Sequence, residues 1–274
     1  MTLLQSFILG LVQGLTEFLP VSSSGHLVLV EHLLKVPTST DITFEVFVHF
    51  GTLVSVLLVF WNDVVLITRS VLQGIFSPSS VRELYRTSEH FRFGILILFA
   101  SIPAAYIGLT FEDRLSHAFA DPKLVAVMLI LTGLVLFLTR LKRPVKEPEG
   151  KKIGWVKALL IGIAQSVAII PGISRSGSTI SAAIYLGVTP VQAARFSFLL
   201  SLPAVGGATL LKTKEMIEIG VVPDGILQLL LGTLVAFASG YVAIKFLLKV
   251  LERGRLSWFA FYCLAAGVLG ILFI

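Results

Sequence analysis

The stretch Gln13-Gly14-Leu15-Thr16-Glu17-Phe18-Leu19-Pro20-Val21-Ser22-Ser23-Ser24-Gly25-His26 interrupts an apolar region that runs from about residue 1 to 34. Pro20 disfavours helix in the residue before it, and Ser23 or Ser24 can cap a new half-helix, so the segment predicts a helix broken in its middle. A second apolar region, 157 to 188, is interrupted by Pro171-Gly172-Ile173-Ser174-Arg175-Ser176-Gly177-Ser178-Thr179-Ile180. Elsewhere, runs long enough to cross about 30 Å of hydrocarbon occur near 44–61, 93–111, 123–140, 191–211, 225–246 and 256–274. The reading is an all-α integral membrane protein with about six transmembrane helices and two re-entrant broken-helix hairpins.

Composition agrees. Of 274 residues, 55% are hydrophobic and 14% charged, against roughly 25% charged in a soluble domain. This excludes disorder and argues against a water-soluble globule. The single Cys, Cys263, excludes an internal disulfide and a thiolate metal cluster within one chain, and reads as a small packing residue. Twenty-two Lys and Arg against 16 Asp and Glu give a net charge of +6, which in a membrane protein marks cytoplasmic loops rather than a nucleic-acid surface.

Three stretches carry these cations: Arg69, Arg82, Arg86 and Arg92; then Arg140, Lys142, Arg143, Lys146, Lys151, Lys152 and Lys157; then Lys245, Lys249, Arg253 and Arg255. All three are expected on the cytoplasmic side. The connection at 112–123, with Glu112, Asp113 and Asp121, and the one at 212–224 fit the opposite side. No positively charged region precedes the first apolar stretch, since the first cation is Lys35, so neither a cleaved signal peptide nor a cytoplasmic N-terminus is expected.

The two breaks are related. A shift of 152 residues superposes Gly10 on Gly162, Gln13 on Gln165, Ser22 on Ser174, Ser24 on Ser176 and Gly25 on Gly177. Each repeat would hold one re-entrant hairpin and three crossings, and an odd number of crossings inverts the second copy. The expected organisation is a single membrane domain, 1–274, with inverted-topology halves at about 1–140 and 153–274 joined by a basic cytoplasmic loop. Such repeats place broken helices near the bilayer midplane, where half-helix N-termini bind anions.

Gln13 and Glu17 are four apart and share a helix face. A carboxylate in hydrocarbon must meet water, a cation, a proton or a structural hydrogen-bond partner, and Glu17 is therefore a site candidate. Arg175, in the second break, calls for an anion: a phosphate or carboxylate ligand held among Ser174, Ser176 and Thr179, or Glu17 across the repeat interface. His26 follows Ser23 by three, a spacing that permits a general base beside a nucleophile. Glu45 and His49, four apart at the start of a span, are a secondary candidate as a metal pair, an entrance lining or interfacial groups. His32, His90 and His117 read as interfacial. A pyrophosphate monoester carries about three negative charges; Arg175 supplies one positive charge and two half-helix ends about half a charge each. A divalent cation held by Glu17, with magnesium or calcium expected, or a protonated His26 would close the gap.

With these residues in view, the chain resembles the bacterial undecaprenyl pyrophosphate phosphatases, also described as bacitracin-resistance proteins. QGLTEFLPVSSSGH is similar to that family's first motif and PGISRSGSTI to its second, and the resemblance covers essentially the whole chain. It implies hydrolysis of undecaprenyl diphosphate to undecaprenyl phosphate and phosphate, which recycles the lipid carrier of peptidoglycan synthesis and confers bacitracin resistance. By the same resemblance Ser23 is the nucleophile, His26 the base or proton shuttle, Arg175 the phosphate clamp, and Glu17 a metal ligand or acid–base partner. Ser22, Ser24, Ser174, Ser176 and Thr179 would bind the phosphates. Some members carry Glu where this chain has Gln13, so a carboxylate role there falls to Glu17 alone. The implied setting is the bacterial plasma membrane, multi-pass, with the site open to the outer face. The implied partners are the polyprenyl diphosphate substrate, membrane lipids and a second copy in a homodimer, with no nucleic acid. The competing function is a transporter or flippase for polyprenyl phosphate lipids, raised by the broken helices.

Overall fold

The computed structural model describes residues 1–36, 41–111, 118, 121–141, 152–219 and 225–273. Among these the secondary structure is helical throughout. The first broken region is α1 (Leu3–Phe18) and α2 (Ser23–Leu34), followed by α3 (Asp41–Val59), α4 (Trp61–Phe76), α5 (Val81–Thr87), α6 (Glu89–Thr110) and α7 (Pro122–Leu138). The second is α8 (Trp155–Val167) and α9 (Arg175–Tyr185), followed by α10 (Pro190–Ile219), α11 (Ile226–Glu252) and α12 (Trp258–Phe273). The basic linker at 142–151, the acidic pair Glu112 and Asp113, and His117 lie outside the described residues.

The limbs of the two hairpins have 16, 12, 13 and 11 residues, so each rises about 17–24 Å at 1.5 Å per residue. None reaches across about 30 Å of hydrocarbon. Within each hairpin the limbs pack on each other, α1 on α2 and α8 on α9, as re-entrant segments require.

Among the described residues, four helices are long and apolar enough to cross: α6, α7 with its 3₁₀ extension to Leu141, α10 and α11. These are four of the six expected spans. The expected 44–61 crossing ends at Val59, and α4 turns away from α3 by 86°. This corrects the reading of Arg69 as a loop residue, because it lies inside α4. α4 carries Asp63 and Arg69 and leaves Val65, Leu66, Leu72, Ile75 and Phe76 exposed, a composition that suits a helix at the membrane surface. Asp63 fixes its start, accepting a fork from Arg195 of α10, Nε to Oδ2 at 3.1 Å and a second nitrogen to Oδ1. The 212–224 connection is also shorter than expected, since α10 continues to Ile219. The last expected span is α12, with 16 residues.

The first limb of each hairpin packs chiefly against the other half. α1 lies against α11, and α8 lies against α6. Glycines let these backbones approach: a Cβ at Gly10 would lie 2.5 Å from the Gly232 carbonyl oxygen, and one at Gly162 would overlap the Ala100 carbonyl. These two glycines are the pair superposed by the 152-residue shift. The hairpin tips are exchanged in the same way. The first tip meets α12, where Cys263 Sγ lies 3.5 Å from the Pro20 carbonyl. The second meets α7, where Thr132 Oγ1 donates to the Gly172 carbonyl at 3.1 Å and accepts from the Ser174 amide at 3.0 Å. The expected small, buried role of Cys263 holds: it is fully buried and free.

Gly10→Ala and Gly162→Ala are predicted to destabilise the protein by about 1–3 kcal/mol each, the usual range for overpacking. Gly154→Ala, where an added Cβ meets nothing within 4 Å, serves as the control. Thermal unfolding in detergent measures the difference; equal midpoints in all three variants would refute the close-approach argument.

Candidate active site

Four side chains converge on Glu17, in the last turn of α1. Arg175 donates from NH2 to Oε1 at 2.6 Å. Ser23 Oγ donates to Oε2 at 2.5 Å, and Gln13 Nε2 donates to the same oxygen at 3.1 Å. His49 Nε2 lies 3.9 Å from Oε2. The Glu17 side chain is only 8% exposed and that of Arg175 16%. Two opposite charges are therefore held together inside an apolar protein, which is the arrangement a lone carboxylate at this depth requires.

Local sequence explains how each group arrives. Gln13 reaches Glu17 because the two are one helical turn apart. Leu19, in extended conformation before Pro20, ends α1 just after Glu17. Ser22 then caps α2, its Oγ accepting from the Gly25 amide at 3.2 Å, and Ser174 caps α9 in the same way from Gly177 at 3.0 Å. These caps leave Ser23 and Arg175 as the first residues of their helices. The 152-residue shift superposes the two positions. Equivalent N-terminal residues from the two repeats thus meet on one carboxylate, with two half-helix N-termini beside them.

The remaining serines and threonine line the same junction. Ser24 Oγ lies 3.3 Å from Ser22 Oγ, and Ser176 Oγ lies 3.2 Å from Ser174 Oγ. Ser176 also donates to the Leu19 carbonyl at 3.2 Å, tying the tips together. Thr179 Oγ1 lies 2.8 Å from the Arg175 carbonyl and 2.6 Å from Ser197 Oγ. The Ser197 carbonyl in turn accepts from Arg175 at 3.5 Å.

Not every expected residue joins the cluster. His26 turns away from Ser23: Nδ1 donates to the Ser22 carbonyl at 2.8 Å and Nε2 lies 2.8 Å from the Tyr262 hydroxyl. The carboxylate, and not the imidazole, receives the Ser23 hydroxyl. The Glu45 carbonyl accepts from His49 Nδ1 at 2.7 Å. The spacing of Glu45 and His49 left open a metal pair, an entrance lining or interfacial groups; the structure sets His49 Nε2 3.9 Å from Glu17 Oε2. Sequence reasoning did not find Ser197 or Tyr262. Ser197 sits unmarked in an apolar run, and Tyr262 carries only the weak signal of a polar tip in an apolar helix.

The junction is chemically one-sided. Gln165, the repeat partner of Gln13, is buried, and neither polar atom of its side chain has a hydrogen-bond partner among the described residues. Four residues on, Ile169 stands where Glu17 does in the first repeat. The first hairpin supplies the carboxylate and hydroxyl, and the second supplies the guanidinium.

The bacitracin resistance protein BacA family model matches residues 6–269. A Salinibacter ruber protein named undecaprenyl-diphosphatase is 46% identical over 272 residues, covering 99% of each chain. A Halothermothrix orenii protein of the same name is 44% identical over 272 residues, covering 99% of this chain and 98% of its own. One from Alkaliphilus metalliredigens is 37% identical over 273 residues, covering 100% and 99%. With both hairpins and nearly every residue between the termini inside the match, the chain belongs to the BacA bacitracin resistance protein family.

Proposed function

We propose that this multi-pass membrane protein hydrolyses undecaprenyl diphosphate to undecaprenyl phosphate and inorganic phosphate, with Ser23 as nucleophile, Glu17 as its base and Arg175 as phosphate clamp. The observation that carries this reading is the double engagement of Glu17, which holds the Ser23 hydroxyl hydrogen on one oxygen and the Arg175 guanidinium on the other.

The chemistry follows from those contacts. Ser23 Oγ attacks the terminal phosphorus while its proton passes to Glu17 Oε2. The bond from that phosphorus to the bridging oxygen breaks, and the electron pair leaves on the polyprenyl phosphate. Glu17 gives that proton up to solvent; water then attacks the phosphoserine, passing a proton to the carboxylate, which returns it to Ser23 Oγ as the P–O bond to serine breaks and phosphate is released. Arg175 offers five N–H donors, of which Glu17 and Ser197 each take one, so others remain for a phosphate oxygen. The N-termini of α2 and α9, with Ser22, Ser24, Ser174, Ser176 and Thr179 around them, favour the developing negative charge.

A divalent cation, magnesium or calcium, belongs to the same proposal. No three His, Cys, Asp or Glu side chains gather as a metal site among the described residues. Gln13 Oε1, however, is buried beside Glu17 without a hydrogen-bond partner among those residues. An oxygen-seeking cation would rest on Glu17, Gln13 Oε1 and the substrate's phosphates, and when bound it would neutralise diphosphate charge.

Placement in the bacterial plasma membrane, with the site open to the outer face, rests on the family resemblance; the three cationic stretches support only which connections face the cytoplasm. The inverted arrangement of the halves is supported by the matched caps and glycine seats. Transport of the lipid is not favoured: the relatives are named for a diphosphatase activity, and a serine poised on a carboxylate serves hydrolysis and is not needed for translocation.

Phosphate release from a polyprenyl diphosphate by the purified protein is the direct test. Ser23→Ala, Glu17→Gln and Arg175→Ala are each expected to lower the rate by about 100-fold or more, and full activity in Arg175→Ala would overturn the site. Stability separates the pair's two roles. Glu17→Ala leaves a buried guanidinium unpaired and is expected to cost about 3–5 kcal/mol; adding Arg175→Ala should recover part of the thermal midpoint and none of the activity. Chelation is expected to reduce turnover, with recovery on adding magnesium or calcium. Gln13→Leu should raise the metal concentration needed for half-activation; turnover unchanged by chelator would remove the cation from the proposal.

A further inference from the structure

Ser22 has a backbone conformation that its repeat partner lacks. Its φ is 68° and ψ 97°, whereas Ser174 sits at −71° and 118°. Positive φ is uncommon for a residue with a Cβ and persists only where surrounding contacts impose it. Both serines cap a half-helix through the same bond to a glycine amide, so capping does not account for the difference.

The side-chain contacts of His26 set the first tip apart. Nδ1 lies 2.8 Å from the Ser22 carbonyl, which can only accept, so this nitrogen carries the hydrogen. In the neutral ring Nε2 is then the acceptor, and the Tyr262 hydroxyl, 2.8 Å away, is the donor. The two rings also stack, with centroids 5.5 Å apart and planes 10° from parallel. One residue on, Cys263 Sγ lies 3.5 Å from the carbonyl of Pro20. The last helix thus touches the first tip on both sides of Ser22. In the second repeat, Ser178 stands at the position of His26 and no imidazole is available to hold the tip.

We propose that Tyr262 and His26 form a clamp on the Ser22 carbonyl, holding it in its positive-φ conformation and so aiming Ser23 at Glu17. The proposal rests on the hydrolytic reading of Ser23. Tyr262 is a positioning residue acting through His26, and His26 acts on the backbone of the turn instead of taking the Ser23 proton. Both nitrogens of the ring are engaged, and the Ser23 hydroxyl is already spent on Glu17.

Glycine distinguishes a clamp from a base, because it occupies positive φ without the penalty of a Cβ. Rates and thermal midpoints of Tyr262→Phe, His26→Ala, Ser22→Gly and their combinations are compared with the unaltered protein. Tyr262→Phe keeps the stacked ring and loses the hydroxyl; it is expected to lower kcat by about fivefold with KM unchanged. His26→Ala should lower kcat further, and Tyr262→Phe should have no added effect in that background. Because Ser22→Gly also removes the capping hydroxyl, the comparison is made within that background: His26→Ala should cost a smaller fold-loss of kcat in Ser22→Gly than in the unaltered protein. An equal fold-loss in both backgrounds would overturn the clamp, since glycine cannot supply a proton acceptor. Wild-type kcat in Tyr262→Phe, or an effect that persists without His26, would overturn it too. The ¹⁵N resonances of His26 give a readout independent of turnover: protonated Nδ1 and hydrogen-bonded Nε2 are expected, with Nε2 shifting in Tyr262→Phe. An unshifted Nε2 removes the Tyr262 bond. Absence of phosphate release by the unaltered protein would instead overturn the hydrolytic reading, leaving the resonances to judge the clamp.

Discussion

Everything in this structure depends on the ion pair between Glu17 and Arg175. Each charge lies at the tip of a broken helix in a protein whose surroundings are hydrocarbon, and desolvation costs several kcal/mol per ion before any attraction is counted. Neither tip is tolerable alone. Pairing relieves both, and the two residues are 158 positions apart, so relief requires the two hairpins to be brought together. The exchange of hairpins between halves accomplishes this. α1 is seated on α11 and α8 on α6, and each tip is held by the last helix of the other half.

Repetition supplies the frame, and departures from it supply the chemistry. Ser22 and Ser174 cap their helices alike, and Gly10 and Gly162 seat theirs alike. The differences lie where function would need them: Ser23 against Arg175, Glu17 against Ile169, and His26 against Ser178. A symmetric junction would place two carboxylates or two guanidiniums face to face. Replacing one member of each equivalent pair gathers a hydroxyl, a carboxylate and a guanidinium around one point, the proposed nucleophile, base and clamp. The burial of Gln165, which keeps the glutamine of the first repeat but has no carboxylate one turn on, shows where the second copy retained the frame without the site.

The break motifs were legible because they depend on neighbours. Proline, a capping serine and glycine act over a few residues, and a carboxylate inside an apolar run marks itself by its cost. The candidate set of Glu17, Ser23 and Arg175 could be drawn up that way, and both partners proposed for Arg175, ligand phosphate or Glu17, remained open until the geometry placed the carboxylate beside it. His26 shows the limit. Its spacing from Ser23 is compatible with a base beside a nucleophile, yet a spacing of three gives neighbouring positions and not the direction of a ring. α4 shows another: hydropathy alone could not reveal that the chain would turn by 86° after Val59.

The sequence by itself determined the solvent, the two breaks, their relation and the short roster of polar groups at membrane depth, because each of these follows from composition or from contacts within a helical turn. Tertiary structure alone decided which oxygen of Glu17 receives the serine and which the guanidinium, that His49 and Ser197 stand at the junction, and that Tyr262 reaches His26 across 236 residues. Those partners are set by how helices pack, and nothing in a local pattern records which face of a distant helix will arrive.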